Sequence, residues 1–96
     1  MSTFNSDNSV STACFSVTAS AEPGVLPRIV ALFAKRGLTP IHLQADWSVR
    51  AGGVLNVEVR MAGMDSELAD YIGQCLRVIV AVEDVQVSEQ RHANVA

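Results

Sequence analysis

The sequence predicts an α+β fold, a four-stranded antiparallel sheet with two helices packed on one of its faces. Two neighbouring segments, 41–50 and 54–61, alternate strictly between apolar and polar residues, which is typical of strands buried on one face. Two other segments, around 26–36 and 66–80, have apolar residues at helical spacing. The resulting order is strand, helix, strand, strand, helix, strand. A single sheet covered by both helices satisfies this order.

The two ends of the chain are predicted as tails around one domain at residues 13–89. Residues 1–12 are expected to form a disordered N-terminal tail and residues 90–96 a flexible C-terminal tail, because both are polar and bury little apolar surface. The first strand is predicted at 14–19, where Phe15, Val17 and Ala19 alternate with polar residues.

The first helix is predicted between a turn at Pro23-Gly24 and a stop at Gly37. Pro27 suits the first turn of the helix, where its missing N–H leaves nothing unpaired. Gly37 follows the last turn, where a left-handed residue closes a helix. The Pro23-Gly24 turn lets the backbone approach a ligand or another chain closely. The apolar stripe expected to face the core consists of Leu26, Ile29, Val30 and Phe33.

The two alternating segments are joined by Ala51-Gly52-Gly53, a hairpin signal. Their apolar residues are all odd-numbered, and residues that pair across two strands share a face. A plain two-residue loop would pair odd with even positions. We therefore predict an odd-length loop, or a bulge, with a glycine at positive φ. The apolar positions are Ile41, Leu43, Ala45, Trp47 and Val49 on one strand and Leu55, Val57, Val59 and Met61 on the other.

The second helix is predicted to begin after Asp65, which is a suitable N-cap, with Glu67 favourable in the first turn. The helix is expected to reach about Val80, although the β-branched run 77–82 also fits a strand on propensity alone. A last strand is predicted at 85–89. These elements together fit a ferredoxin-like βαββαβ sandwich. The apolar stripe of this helix consists of Leu68, Ile72, Cys75, Leu76 and Ile79.

Length and composition exclude several classes of protein. The 96 residues suffice for one domain, and the net charge of −3 lacks the basic surface expected of a nucleic-acid binder. No apolar run reaches the ~18 residues of a membrane span, and no signal-peptide pattern is present. Cys14 and Cys75 have neither metal-type nor disulfide spacing and are expected to be buried, reduced thiols. We therefore expect a cytoplasmic protein that binds neither nucleic acid nor membranes.

The search for catalytic residues favours structural explanations. His42, on the polar face of its strand, is expected to be solvated or at an interface. Asp46 and Glu58 share that face, and cross-strand ion pairs with Arg50 or Arg60 fit them better than acid/base catalysis. An acylphosphatase would need an arginine-bearing phosphate loop after the first strand, and an RNA-recognition fold would need aromatic residues on the polar face. The sequence has neither.

Residues 14–89 resemble the ACT domain, a regulatory ligand-binding module. The resemblance is carried by the strand Phe15-Ser16-Val17, the turn Glu22-Pro23-Gly24-Val25-Leu26, and the helix with its exit from Arg28 to Leu38. Within that family the chain is most similar to the stand-alone small regulatory subunit of acetolactate synthase, through Leu32-Phe33-Ala34-Lys35-Arg36-Gly37-Leu38 and the single short domain.

The resemblance implies a homodimer that pairs through edge strands and binds an amino acid between its two chains. The turn around Gly24 would contact the ligand through backbone amides, and the start of the second strand would contribute from the other chain. Neither catalytic residues, a metal nor a cofactor is implied. The implied ligand-binding residues are Glu22, Pro23, Gly24, Val25, Leu26, Thr39, Pro40 and Ile41.

Two departures from the family pattern bear on this expectation. Ala21 stands where many amino-acid-binding members have Asp or Asn, and Thr39-Pro40 stands where the small subunits often have Asn-Ile. Ala21 cannot hold an ammonium group, and Pro40 lacks a backbone donor. Either Thr39 and Glu22 replace these contacts, or the domain has lost effector binding and acts through protein contacts alone.

Three functions remain as hypotheses. The first is a non-catalytic subunit that binds the large catalytic subunit of acetolactate synthase and responds to valine, leucine or isoleucine. The second is a free-standing ACT sensor or assembly module for another amino acid or metabolic enzyme. The third, a small enzyme on the same scaffold, would depend on His42 or Asp46.

Overall fold

The computed structural model describes residues 9–49 and 52–93, which form four strands and two helices in the predicted order. The strands pair in the order β2-β3-β1-β4, all antiparallel, so β2 and β4 are the edge strands. This arrangement confirms the predicted ferredoxin-like α+β fold. The elements are β1 (Ser9–Ser20), α1 (Val25–Lys35), β2 (His42–Ser48), β3 (Val54–Ala62), α2 (Ser66–Val78) and β4 (Val82–Ala93).

Strands β1 and β4 are longer than predicted. β1 begins at Ser9 and β4 ends at Ala93, and Ser9 pairs with Ala93, so the tail prediction is wrong for residues 9–12 and 90–93. These segments are mostly polar, which favours a tail, but their two backbones satisfy each other's hydrogen-bonding groups regardless of side chain. Residues 1–8 and 94–96, the rest of the predicted tails, lie outside the described residues.

The β2–β3 connection confirms the parity argument. Ser48 pairs with Val54, leaving the odd-length segment 49–53 between the strands, and odd residues pair with odd residues throughout. Gly52 and Gly53 have φ values of 82° and 111°, which favour glycine. Residues 50 and 51 lie outside the described residues. A Cβ on Gly53 would be 3.3 Å from that of Ala21, so this loop packs closely on the segment after β1.

Helix α1 covers the sheet with Val25, Ile29 and Phe33, all fully buried. Val30 was predicted to belong to the same stripe but is exposed, because it lies about 100° around the helix from Ile29. Gly37, at φ 70°, ends the helix as predicted. The ring of Phe33 packs edge-on against Phe15 at a centroid distance of 5.6 Å, and this contact joins the helix to the central strand.

Helix α2 begins as predicted, with the Asp65 carboxylate accepting a hydrogen bond from the Leu68 backbone N–H at 2.8 Å. It ends at Val78, about two residues earlier than predicted. The expected stripe is only partly buried: Ile72 and Leu76 are in the core, whereas Leu68 is exposed and Cys75 half-buried. The helix is rotated so that Ala69 and Gly73 face the sheet instead.

Candidate ligand-binding site

The segment between β1 and α1 is a hydrogen-bonded turn. The Glu22 N–H donates to the Ser20 carbonyl at 2.8 Å, and the Val25 N–H donates to the Glu22 carbonyl at 3.1 Å. The Ala21 N–H donates to the Gly53 carbonyl at 3.1 Å, which fixes the turn to the β2–β3 loop. The turn is therefore held at both ends by backbone contacts.

Gly24 is the N-cap of α1, and its conformation does not require glycine. Its φ and ψ are −86° and −5°, which any L-residue adopts, and a Cβ there would meet only the Arg28 guanidinium at 3.6 Å. The bend expected at Pro23-Gly24 is thus made without a left-handed residue. The space at its Cβ position is bordered by the Arg28 side chain at an ordinary contact distance.

The mouth of helix α1 presents unpaired backbone donors. The Val25 N–H is used within the turn, but among the described residues no acceptor pairs with the N–H of Gly24 or Leu26. Donors at a helix N-terminus carry partial positive charge and suit a carboxylate. Of the four backbone N–H groups in the expected turn, those of Gly24 and Leu26 are thus available, and those of Glu22 and Val25 are occupied.

An apolar hollow of about 300 Å³ lies beside this turn. Trp47, near the end of β2, forms one wall and is 65% exposed, and Leu55 of β3 lies directly opposite it. The sequence analysis places Trp47 on the apolar face of its strand but does not predict it as a site residue. The signal for such a role is its position near the end of an alternating strand. The lining residues are Ala21, Glu22, Pro23, Leu26, Trp47 and Leu55.

The other predicted site residues, Thr39, Pro40 and Ile41, lie at the opposite end of the sheet. They precede β2, whereas Trp47 lies near the far end of that seven-residue strand, with the turn beside it. At about 3.3 Å per residue the two groups are roughly 20 Å apart. Within one chain, therefore, the structure gathers Glu22 to Leu26 in one place but does not bring Thr39 to Ile41 to them.

The apolar face of β2 is exposed. Leu43, Ala45 and Trp47 share the helix-bearing face of the sheet with Val59, Val57 and Leu55, their partners on β3. The helices do not cover β2, so these side chains and that of Ile41 remain accessible. The predicted alternation is confirmed, but the burial that it usually indicates is absent in the single chain.

The polar face of the sheet holds the charged residues that had been considered for catalysis. Glu58 lies 3.6 Å from Arg60 of the same strand, so this ion pair forms within β3 and not across two strands as expected. The Asp46 carboxylate accepts a hydrogen bond from Gln44, also on its own strand, at 2.9 Å. His42, half-buried, lies opposite Arg60.

Metal-binding and membrane-spanning features were also sought. Across residues 9–49 and 52–93, no three His, Cys, Asp or Glu side chains cluster as metal ligands would. Neither described helix has the length and apolarity needed to cross a membrane. Both thiols are free, and Cys75 is half-buried rather than buried as predicted.

Solved structures with this fold include domains of larger proteins. The ACT domain of GTP pyrophosphokinase from Chlorobium tepidum superimposes with a TM-score of 0.68 at 12% identity, covering 80% of this chain and 96% of that one. The C-terminal domain of the MgtC protein from Mycobacterium tuberculosis gives 0.61 at 16% identity, covering 88% and 92%.

A homoserine dehydrogenase from Thiobacillus denitrificans gives a TM-score of 0.59 at 15% identity, covering 85% of this chain but 17% of that one. A search of curated proteins finds no significant match. Residues 5–94 match the family described as ACT-like domain. ACT domains are generally regulatory modules that bind small ligands, and this chain belongs to the ACT-like domain family.

Proposed function

We propose that this protein is a non-catalytic regulatory ACT domain that binds an amino acid between two copies of itself and controls a catalytic partner. The observation that carries the proposal is the separation of the two halves of the predicted site. Glu22 to Leu26 lie beside the end of β2, and Thr39 to Ile41 lie before its start. A site that needs both halves requires a second chain.

Pairing of β2 with β2 would assemble such a site. β2 is an edge strand with accessible backbone, and its apolar face is uncovered. When two copies pair antiparallel about a two-fold axis, the start of one β2 lies beside the end of the other. Each start would then approach the turn and the hollow of the opposite chain, so that one dimer has two equivalent sites.

The chemistry of the hollow favours a small apolar amino acid. The free N–H groups of Gly24 and Leu26 suit the ligand carboxylate, and Trp47 and Leu55 suit an apolar side chain. Because Ala21 offers no group to the ammonium, the exposed Glu22 carboxylate takes that role. Valine, leucine and isoleucine fit this description, and acetolactate synthase is the corresponding catalytic partner.

Calorimetric titration with valine, leucine and isoleucine tests the ligand directly. Heat of binding with at least one of them, at one ligand per chain, is expected. The absence of heat with all three, followed by binding of a different amino acid, would favour the alternative of a free-standing sensor. Absence of binding by any amino acid would leave a module that acts through protein contacts and would contradict the proposal.

Mixing two defective variants tests whether the site is shared between chains. Gly24→Val places a bulky side chain in the half of the site that the turn contributes. Thr39→Lys does the same in the half contributed by the segment before β2. Each homodimer should therefore lose binding at both of its sites. A mixed dimer retains one intact site, built from the undamaged half of each chain. After exchange of subunits, roughly a quarter of the wild-type number of sites should return. Failure of the mixture to recover binding would contradict the shared site.

The catalytic partner is tested by co-purification with the large subunit of acetolactate synthase. A stable complex, and a change of synthase activity on adding this chain, are expected. Homoserine dehydrogenase and GTP pyrophosphokinase are enzymes with a similarly folded region, which supports a role beside an enzyme. If the synthase subunit does not bind, the partner is a different metabolic enzyme.

A further inference from the structure

A groove separate from the proposed amino-acid site runs between the two helices on the outer surface. Its floor is apolar and its volume is about 290 Å³. We call it the interhelical groove. It is lined by Arg28, Ala31, Leu32, Lys35, Arg36 and Ile79.

One wall of the interhelical groove is cationic. Arg28 and Lys35 come from the same flank of α1, a helix that contains no acidic residue, and Arg36 follows directly after its end, in a chain whose net charge is −3. Among the described residues, no carboxylate comes within 4.0 Å of Arg28 or Lys35. These two side chains are two helical turns apart, a spacing of about 10 Å. The groove therefore presents unneutralised positive charge along its length.

Arg36 is held in place at the end of the groove. Its guanidinium donates to the Leu32 carbonyl at 3.0 Å and to the Cys75 sulfur at 3.7 Å, and it lies 5.8 Å from the centre of the Tyr71 ring. Interaction with the Tyr71 hydroxyl is the largest effect that raises the pKa of Arg36 above its usual value. The guanidinium is thus charged and already positioned before any partner arrives.

The end of α2 adds exposed apolar surface on either side of Ile79. Val78 and Val80 are 80% and 74% exposed. The Val82 N–H donates to the Ile79 carbonyl, and Ala81, at φ 82°, offers its carbonyl to the Ser20 N–H at 2.8 Å. This turn fixes both valines outside the core. An exposed pair of β-branched residues that flank Ile79, a lining residue of the groove, is typical of a contact surface.

We infer that the interhelical groove binds an acidic amphipathic helix of a partner protein. The apolar floor and the two valines suit its apolar stripe, and the three cations suit carboxylates on one flank. A groove between two helices accommodates a rod-shaped partner better than a flat membrane. The inference rests on the proposed regulatory function only for the partner's role, because binding in the groove requires no amino acid.

A designed peptide of about 18 residues provides the probe. It carries a leucine stripe at helical spacing and glutamates on one flank, and a control peptide has lysine in place of every glutamate. Fluorescence anisotropy with the full chain should show binding of the acidic peptide alone, weakened by added salt. Substituting Arg28→Gln and Lys35→Gln together should weaken binding about five- to thirtyfold.

Matched variants separate the groove from other surfaces. Arg60→Gln removes a cation from the opposite side of the sheet and should not change affinity. Val78→Ser should weaken binding of the acidic peptide, whereas Val30→Ser, on the other flank of α1, should leave its affinity unchanged. Circular dichroism checks that each variant is folded. Because Val78 is almost fully exposed, its replacement remains informative if the double variant is destabilised.

Three results would overturn the inference. The first is equal binding of the acidic and basic peptides, or no loss of affinity in the double variant. The second is binding of phosphatidylserine-containing vesicles, but not of the acidic peptide, through the same residues, which would assign the surface to lipid. The third is a change in self-association of the double variant without peptide, which would assign it to a second copy. Amino-acid calorimetry on the wild-type chain does not depend on these results, so failure of this inference and failure of the proposed function are distinguishable.

Discussion

Leu43 of β2 lies directly opposite Val59 of β3 on the same face of the sheet, yet Leu43 is 45% exposed and Val59 is fully buried. The boundary of the helical layer falls between these two neighbours. The apolar face of a strand that lies outside the helical layer is buried only when another molecule covers it. The edge position of β2 makes a second copy the simplest cover.

A charge placed on this uncovered face should separate the chains. We expect Leu43→Lys to weaken self-association by at least about thirtyfold, the loss typical of a substitution at the centre of an interface. Sedimentation over a range of concentrations measures the shift towards monomer. His42→Ser, one residue away on the other face, is the control and should dimerise normally. An unchanged dimer in Leu43→Lys would place the contact elsewhere.

Gly24→Ala separates the fold from ligand binding. The φ of −86° and the free space at Cβ predict a free energy of unfolding within about 1 kcal/mol of wild type. Because Gly24 supplies one of the two N–H groups proposed to bind the ligand carboxylate, a methyl group there should hinder the ligand, and amino-acid affinity should fall by at least about tenfold. Urea unfolding and calorimetry on the same sample measure both quantities. Normal affinity in this variant would mean that the ligand does not approach at Gly24.

Gly73→Ala should destabilise the chain for a specific reason. A Cβ at this buried position of α2 would lie 2.6 Å from Cγ2 of Val87 on β4, closer than such atoms approach. We expect a loss of about 1–3 kcal/mol in the free energy of unfolding. With Val87→Ala already in place the clash disappears, and Gly73→Ala should then stabilise the helix by roughly 1 kcal/mol. A double-mutant cycle in urea measures the reversal, and additive effects would contradict the packing argument.

Asp65→Ala tests the cap of α2. Loss of the 2.8 Å hydrogen bond to the Leu68 N–H should lower the free energy of unfolding by about 1 kcal/mol. The urea midpoint should fall without a change in m-value. Asp70→Ala removes the same charge from an exposed position within the helix and should have a smaller effect. Equal losses would show that net charge, not capping, is responsible.

Local rules were enough to predict the order of the elements. Period-two alternation located β2 and β3, and parity alone fixed the odd-length loop between Ser48 and Val54. The Asp65 cap and the Gly37 stop were readable because each depends on one residue type at one position. The family resemblance also rests on local segments. These are the strand at 15–17, the turn at 22–26 and the helix with its exit at 28–38.

Features that depend on distant contacts could not be read from the sequence. The outer parts of β1 and β4 are polar, and only the pairing of Ser9 with Ala93 reveals them as strands. The exposure of Leu43 depends on where the helices lie, which alternation does not encode. The distance between the turn at Gly24 and the residues at Thr39 became apparent only once the strand order was known.

The two edge strands of the sheet, β2 and β4, differ in whether they favour pairing with another chain. In the proposed dimer the β2 edges of the two chains pair with each other about a two-fold axis. Strand β4 is then the edge strand on each side of the joined sheet. That strand carries three acidic residues, Glu83, Asp84 and Glu89, and one arginine, Arg91, so its net negative charge opposes edge-to-edge pairing of one β4 with another. In the proposed dimer the remaining sheet edges are two acidic β4 strands, so we expect assembly to stop at a closed pair rather than continue into a fibre.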